Sequence, residues 1–546
     1  MREVYAERGF EMGGLVLARN FGVVTWGSIL AMLIVNVVTA VPLPPPDVAE
    51  YCNSEERCCM PRPYVGQPAH QFYPDPELPI RIRRPVHLLT DAEVARLERA
   101  YQLQKDLPDS DPRSFTNQAK LHCLYCDSGI YYPDNPWPLE IHNGWFFFPW
   151  HRMFLYFHER ILAKLLDDDT FALPFWNWDN QTPEEPYANV LPISYAKSGS
   201  PLWNQQRNKC AEPPLIIDLN TIGGCTAKSP SVLRTENDRI MYTQVVSGAM
   251  SPQLFYGMPY RYGDAGGHGP GTFEDNPHGT VHLWVGNPDS ESGMFDDMGN
   301  FGRAARDPIF YAHHSNVDRI WTVWNTLPGE QRKAPVDPDF LDARFTFFDE
   351  NGDLIIVNVS QTLDNELLRF RYEQMPTGWV TNGQLPGEEN SVPLCYRGNP
   401  TKTRKLIADT PYFKPSMVLH TVPLTFKVQR PRRRPEVGVE VLELSGLSLI
   451  PALQAHWEAF LFLPNGNNKT TVSCPEFIGT FNYVAHVGQA LFNRERRWRV
   501  ALGPKIMALG KENYTDVVIT LAQFGPNIQP ITFERAVVVF DTDGVE

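Results

Sequence analysis

Positive charge is in short supply along these 546 residues: 49 Lys and Arg stand against 63 Asp and Glu, a formal charge of −14. Phosphate binding needs the opposite balance, so nucleic acid is excluded as a partner and the acidic surface serves solubility. Long apolar runs are scarce too. One spans Phe21 to Val41, interrupted by Asn36, and no later segment offers the roughly 20 apolar residues of a bilayer span. No internal repeat is evident. Cysteines number only nine, an odd count that leaves one in need of a partner other than cysteine. By contrast, 49 prolines point to long ordered loops rather than a helical bundle. The aromatic content of 12% supplies large apolar walls, and the length suits two or three domains.

Arg2, Arg8 and Arg19 precede the apolar run, which ends in Val38-Thr39-Ala40 before a proline-rich stretch. Residues 1–40 therefore read as a secretory signal removed near Ala40, after which no stable membrane insertion is expected. An uncleaved signal anchor is the alternative, since the run is long enough to span. Export agrees with the cluster Cys52, Cys58 and Cys59, which would be a liability unpaired in an oxidising lumen. It agrees also with four Asn-X-Ser/Thr acceptors, at Asn180, Asn358, Asn468 and Asn513.

The pattern then divides the chain. Thr90-Asp91-Ala92-Glu93 fits a capping box that opens a helix. From there to Trp324, helical stretches alternate with Pro- and Gly-bearing loops. After Pro335, Arg344–Phe348 and Leu354–Val359 flank Asp349-Glu350-Asn351-Gly352, a hairpin signal. Residues 383–415 lack periodicity and carry Arg397, Lys402, Arg404 and Lys405, as an exposed linker and protease site would. From Val418 onward, short alternating runs predict a β-sandwich, interrupted by the basic loop Arg430–Arg434. The expected fold is a mainly α-helical domain with long loops over 41–382, including a small β segment at about 335–382. The linker 383–415 follows, and a C-terminal β-sandwich domain over 416–546 completes it.

Histidines carry the chemistry. Nine of the 14 fall between Thr90 and Trp324. Pro277-His278-Gly279-Thr280-Val281-His282 places two imidazoles at i and i+4, where one helix face can bind one metal. Asp307–Arg319 adds His313 and His314 in an aromatic, buried context, with Asp318 four residues after His314 to orient it. His122, His142 and His151 form a second triplet, with His151 placed early in a helix by Pro149. Six imidazoles with no obligatory carboxylate suit copper or zinc. The want of a bridging carboxylate leans toward copper, and a di-zinc hydrolase remains the alternative.

These residues resemble a known family. His122–Cys126, Ile141-His142, Phe148–Arg152, Pro174–Asp179, Pro277–His282 and Asp307–Arg319 are similar to the two copper motifs of plant polyphenol oxidases, the catechol oxidases and tyrosinases. The resemblance implies a dinuclear type 3 centre of two copper ions, with His122, His142 and His151 on one and His278, His282 and His314 on the other. His313 matches the neighbour of the last ligand. It implies oxidation of o-diphenols to o-quinones by O2, with small phenols as substrates and weak hydroxylation of monophenols possible. It implies a latent proenzyme whose C-terminal domain covers the centre until a protease acts, with Phe460 or Phe462 blocking the entrance. It implies a thioether from Cys126 to His142 and disulfides Cys52–Cys59 and Cys58–Cys123. Of the remaining cysteines, Cys210 pairs with Cys225 as a guess, and Cys395 and Cys474 are unassigned. Glu274 matches a carboxylate that holds a proton-accepting water, and Phe301 an aromatic gate over the second copper. Core packing is the alternative for Phe301, and a surface position for Glu274.

Departures from the family pattern matter. Gly279 stands where good monophenol hydroxylases carry Asn, which predicts a preference for diphenols; Leu283 suits either activity. Phe340 replaces Trp in the middle segment's Asp-Trp-Leu, and Phe370 replaces the first Tyr of Tyr-x-Tyr. The N-terminus lacks a long Ser-rich transit stretch. The expected location is thus the secretory pathway, leading to the apoplast or vacuole, with the thylakoid lumen as alternative. Outside this enzymatic reading stands a non-enzymatic oxygen carrier, since haemocyanins use similar histidine sets.

Overall fold

The computed structural model describes residues 41–48, 58–59, 68–132, 134–264, 269–383, 400–433, 435, 438–485 and 496–542. These belong to one compact unit, Ala40–Glu546. The proposed signal over 1–40 and Cys52 lie outside the described residues. Among those described, no helix is long and apolar enough to cross a membrane.

Two long helices form the centre of the helical part. Phe147–Leu166 and Ile309–Trp324 are buried along most of their length, although each carries polar residues such as His151, Arg152, His314 and Asp318. Arg152 on the first donates to Asp318 on the second at 2.6 Å, and its guanidinium lies 3.5 Å over the Trp321 ring. Asp318 also accepts from Tyr372 at 2.5 Å, and Arg83 meets Glu159 at 2.9 Å. Thus Asp318 braces the helix pair and does not touch His314, contrary to the expectation from spacing. Breaking such a buried pair leaves an uncompensated charge, at a cost of about 3–5 kcal/mol.

Asp91–Lys105 begins at Thr90 with both capping-box hydrogen bonds present. Phe115–Cys126 begins at Ser114, whose side chain accepts from the Asn117 amide. The hairpin forms in the register Arg344↔Asn358 to Phe348↔Leu354, and His70–Gln71 adds a parallel third strand. Arg81–Arg83 pairs in parallel with Phe370–Tyr372. The Arg83 guanidinium stacks 3.9 Å over the Phe370 ring, so the aromatic face anchors this boundary in place of a hydroxyl.

The C-terminal part is a β-sandwich. One sheet orders Phe477–Tyr483, Ala455–Leu461, Asp516–Gln523 and Leu424–Gln429; the other orders Arg497–Ala501, Val439–Ser445 and Arg535–Asp541. Trp457 stacks on Phe481 at 3.7 Å in its core. Every residue of Ala455–Leu461 and Phe477–Tyr483 is buried. The period of two explains how. Trp457, Ala459 and Leu461 point into the sandwich core, while Glu458 and Asn482 on the other face bond Asn220 and Thr280 of the helical part. Ahead of the sandwich, Pro400–Asp409 is a helix, so the stretch 383–415 is not wholly aperiodic.

Cys58–Cys123 and Cys210–Cys225 are disulfides. Cys59 and Cys474 are also disulfide-bonded, whereas Cys126 is a buried free thiol.

Candidate metal centre

Two donor groups converge in the interior. His122, Cys126, His142 and His151 make one, and His278, His282, His313 and His314 the other; within each, the donor atoms lie within 4.8 Å of one another. His122 and Cys126 sit one turn apart on Phe115–Cys126, and His151 is the fifth residue of Phe147–Leu166. His142 comes from the loop between these helices. Buried Glu140 holds that loop: its carboxylate accepts from the His142 backbone N–H at 3.1 Å and from the Ser128 hydroxyl at 3.2 Å. His278 ends the π-helical turn Glu274–His278, and His282 lies on Gly279–Val285, their ring centroids 4.6 Å apart.

Backbone carbonyls set the tautomers. Nδ1 lies 2.8 Å from the Phe147 oxygen in His151, 2.9 Å from the Glu274 oxygen in His278, and 2.7 Å from the Met298 oxygen in His282. A carbonyl only accepts, so each Nδ1 carries the proton and each Nε2 presents a lone pair. Nε2 of His151 and of His278 has no hydrogen-bond partner. Nε2 of His282 faces Nε2 of His314 at 3.2 Å. Two nitrogens held at about 2.0 Å by one tetrahedral ion lie about 3.3 Å apart, so this spacing suits a shared metal. His313 differs: the Trp178 indole donates to its Nδ1 at 3.1 Å, which leaves the proton on Nε2.

The two groups adjoin. The His151 and His314 rings stack at 4.3 Å, and the His142 and His278 centroids are 6.0 Å apart. Burial and mutual repulsion hold His122, His151, His278 and His314 well below the usual imidazole range, and burial lowers His282 to about 4. Neutral imidazole is the form that binds metal. Neither group contains a carboxylate. The donor set therefore fits two copper ions.

Phe301 stacks on His142 at 4.0 Å and meets His282 edge-on at 5.2 Å, so it touches both groups. Glu274 is buried, not a surface residue. One of its oxygens accepts from the Asn143 amide at 2.6 Å, and the other has no partner. Burial, the largest influence, pushes its carboxyl well above the usual range.

The sandwich reaches this site through Asn482–Ala485. The Asn482 amide N–H donates to Asp275 at 3.0 Å, and its side chain donates to Thr280 at 3.1 Å. Val484 packs with Leu283, Phe295 and Phe301. A Cβ at Gly279 would lie 3.1 Å from Asn482 Nδ2 and 3.4 Å from Val484 Cγ2, so the sandwich occupies the space a side chain there would need. Phe460 and Phe462, expected at the entrance, lie elsewhere. Phe460 joins the main apolar core beside Phe477, and Phe462 packs on Tyr514 within the sandwich. Glu140, Asp275, Asn482 and Val484 were not singled out by the sequence. Only the alternation along Phe477–Tyr483 marks Asn482 as facing away from the sandwich core.

Three family models match the chain: the common central domain of tyrosinase over residues 112–327, the polyphenol oxidase middle domain over 335–383, and the chloroplastic polyphenol oxidase C-terminal domain over 416–538. The chain belongs to the plant polyphenol oxidase family. It is 39% identical to a chloroplastic polyphenol oxidase of Vitis vinifera, over 81% of this chain and 72% of that one. To a latent chloroplastic form from Prunus armeniaca it is 36% identical, over 90% of this chain and 82% of that one. The solved structure of a latent apple tyrosinase superposes with a TM-score of 0.76 at 33% identity, covering 87% of this chain and all of the other. As a polyphenol oxidase the chain is a copper oxidoreductase with a dinuclear centre.

Membership also corrects the location. Chloroplastic relatives and a chloroplastic C-terminal family point to the plastid, which overturns the secretory expectation. The physical reason is that an apolar run ending in small residues marks a chain that crosses a membrane without saying which membrane.

Proposed function

We propose that this polyphenol oxidase couples two catechols to one O2, giving two o-quinones and two waters, and that it is made latent in a plastid. The observation that carries this reading is the pair of adjoining imidazole groups whose Nε2 lone pairs are freed by backbone hydrogen bonds at Nδ1. His122, His142 and His151 would hold one copper, and His278, His282 and His314 the other. The tautomer at His313 supports its exclusion from the set. Bound copper, cycling between Cu(I) and Cu(II), supplies the two-electron redox chemistry.

The protein's own groups do the rest. Phe301 and the surrounding aromatic rings keep water from the centre and give a flat face to a phenol ring. The unpartnered oxygen of Glu274 holds a water that takes up phenol protons. Free Cys126, beside His142, is placed for a thioether that would restrain that ring. Its C–S bond replaces the thiol S–H and one ring C–H, and the two electrons and two protons released pass to O2, the oxidant of the proposed reaction. Gly279 brings no side chain to help position the water, which favours diphenols over monophenols.

Latency rests on the docked sandwich. Val484 against Phe301 closes the approach to the centre, and polar groups such as Glu458, Thr480 and Asn482 line the docked face. Phe460 and Phe477 pack into the main core on the same side, so release wets apolar as well as polar groups. Cleavage within 383–415 would part 41–382 from 416–546.

Oxygen uptake by copper-loaded, linker-trimmed protein tests the proposal, with a catechol first and then its matching monophenol. Uptake with the catechol alone is expected, and Gly279→Asn should then raise monophenol turnover. Uptake with neither, despite two bound coppers, would overturn the reading and favour an oxygen carrier.

A further inference from the structure

A half-open cavity lies between the helical part and the sandwich, and no histidine lines it. It has a volume of about 210 Å³ and is lined by Arg239, Tyr242 and Ser247 from one side and by Ile478, Ala501 and Lys505 from the other. Arg239 ends the helix Pro230–Met241, and Lys505 lies in the short helix Gly503–Ala508 of the sandwich. Arg239 is only 6% exposed. One arm of its guanidinium donates to the Gly383 carbonyl at 2.8 Å, while Nε and the other arm have no partner. No carboxylate lines the cavity.

Two cations that face one half-open space, with Glu476 acting on Lys505 as the opposing charge, are unfavourable so close together. Burial lowers Arg239 to about 10. Burial first, and then the charge of Arg239, pulls Lys505 well below its usual value, with Glu476 opposing. An anion between them removes both penalties. The unused guanidinium N–H groups form a fork suited to two oxygens of one ligand, the ammonium adds a point charge, and the hydroxyls of Tyr242 and Ser247 offer further donors.

We propose that this cavity binds one small tetrahedral oxyanion, phosphate or the phosphate group of a small monoester, which ties the sandwich to the helical part. The ligand contacts both parts, so it binds the docked chain and stabilises docking by mass action. The inference needs no particular reaction at the copper centre.

The test is calorimetric titration of the full-length protein with inorganic phosphate and with glycerol phosphate, against chloride at equal ionic strength. One phosphate per chain should bind saturably and raise the melting temperature. Arg239→Gln and Lys505→Met should each weaken binding by about tenfold or more. Glycerol phosphate binding as tightly as phosphate would identify the ester as ligand; its rejection would identify the free ion. Lys505 is half-buried on the sandwich side, so its variant serves if Arg239→Gln fails to fold. Absence of saturable binding in the wild type, or binding of equal strength in Lys505→Met, would overturn the proposal.

Discussion

The two donor groups each offer three imidazoles to a metal and are held by different means. The first is fixed from within: His122 adjoins the Cys58–Cys123 disulfide, Cys126 lies against the rings, and Glu140 holds the His142 loop. The second takes His314 from the long helix Ile309–Trp324, and His278 and His282 from a π-helical turn and a seven-residue helix. Asp275 and Thr280 of that segment are the residues that Asn482 of the sandwich grips. The first group is thus anchored in the helical body, while two imidazoles of the second, His278 and His282, share their scaffold with the covering domain. A release step can therefore alter the second group while the first stays in place.

The largest effect should come from removing a ligand of either group. His151→Ala and His282→Ala should each lower catechol oxidation of trimmed protein by more than about a hundredfold, with bound copper falling from two toward one. Retention of both coppers in His282→Ala would remove that residue from the ligand set. Next, the anchored half should depend on its crosslink. Cys58→Ser opens a loop with a sequence separation of 65, and denaturant unfolding should show a loss of about 4 kcal/mol. The equivalent change of Cys210 opens a shorter loop, with a sequence separation of 15, and should cost about 3 kcal/mol.

Smaller effects belong to the covered half. Val484→Asp places a charge against Phe301 and Leu283, so the uncut chain should gain about tenfold in activity while trimmed protein is unchanged. Glu458 adds a dependence on pH. Burial raises its carboxyl to about 8 in the docked state, with Asn220 and Lys228 opposing and Glu236 and Asp218 reinforcing; an exposed Glu titrates near 4.5. Its contribution to docking is therefore complete below about 4.5 and is lost as pH rises through about 8. Activity of the uncut chain should rise between pH 5 and pH 8 as this group ionises, and Glu458→Gln should flatten that rise.

Much of the centre was legible because its chemistry needs particular residues at short spacings. His278 and His282, Pro149 before His151, and Cys126 four residues after His122 all stand in local motifs. The capping box at Thr90 and the Arg344–Asn358 hairpin were legible for the same reason. What the sequence hid depends on contacts between distant segments. Asp318 was read as a partner of His314 from its spacing, but Arg152 and Tyr372, far away in the chain, claim both of its oxygens. The alternation of Ala455–Leu461 and Phe477–Tyr483 showed which face is polar, not that this face is dry. Val484 lies just beyond the second of those strands, and no local pattern distinguishes it from other apolar residues of the sandwich. Phe460 or Phe462 was expected at the entrance from the family resemblance, but Phe460 packs beside Phe477 and Phe462 on Tyr514.

The proposed chemistry needs copper in both three-histidine groups. Counting copper and zinc per chain by mass spectrometry, on protein purified from cells supplied with both metals, tests it most directly. Two coppers and no zinc are predicted. Zinc in either group, or a fully active chain with a single copper, would contradict it.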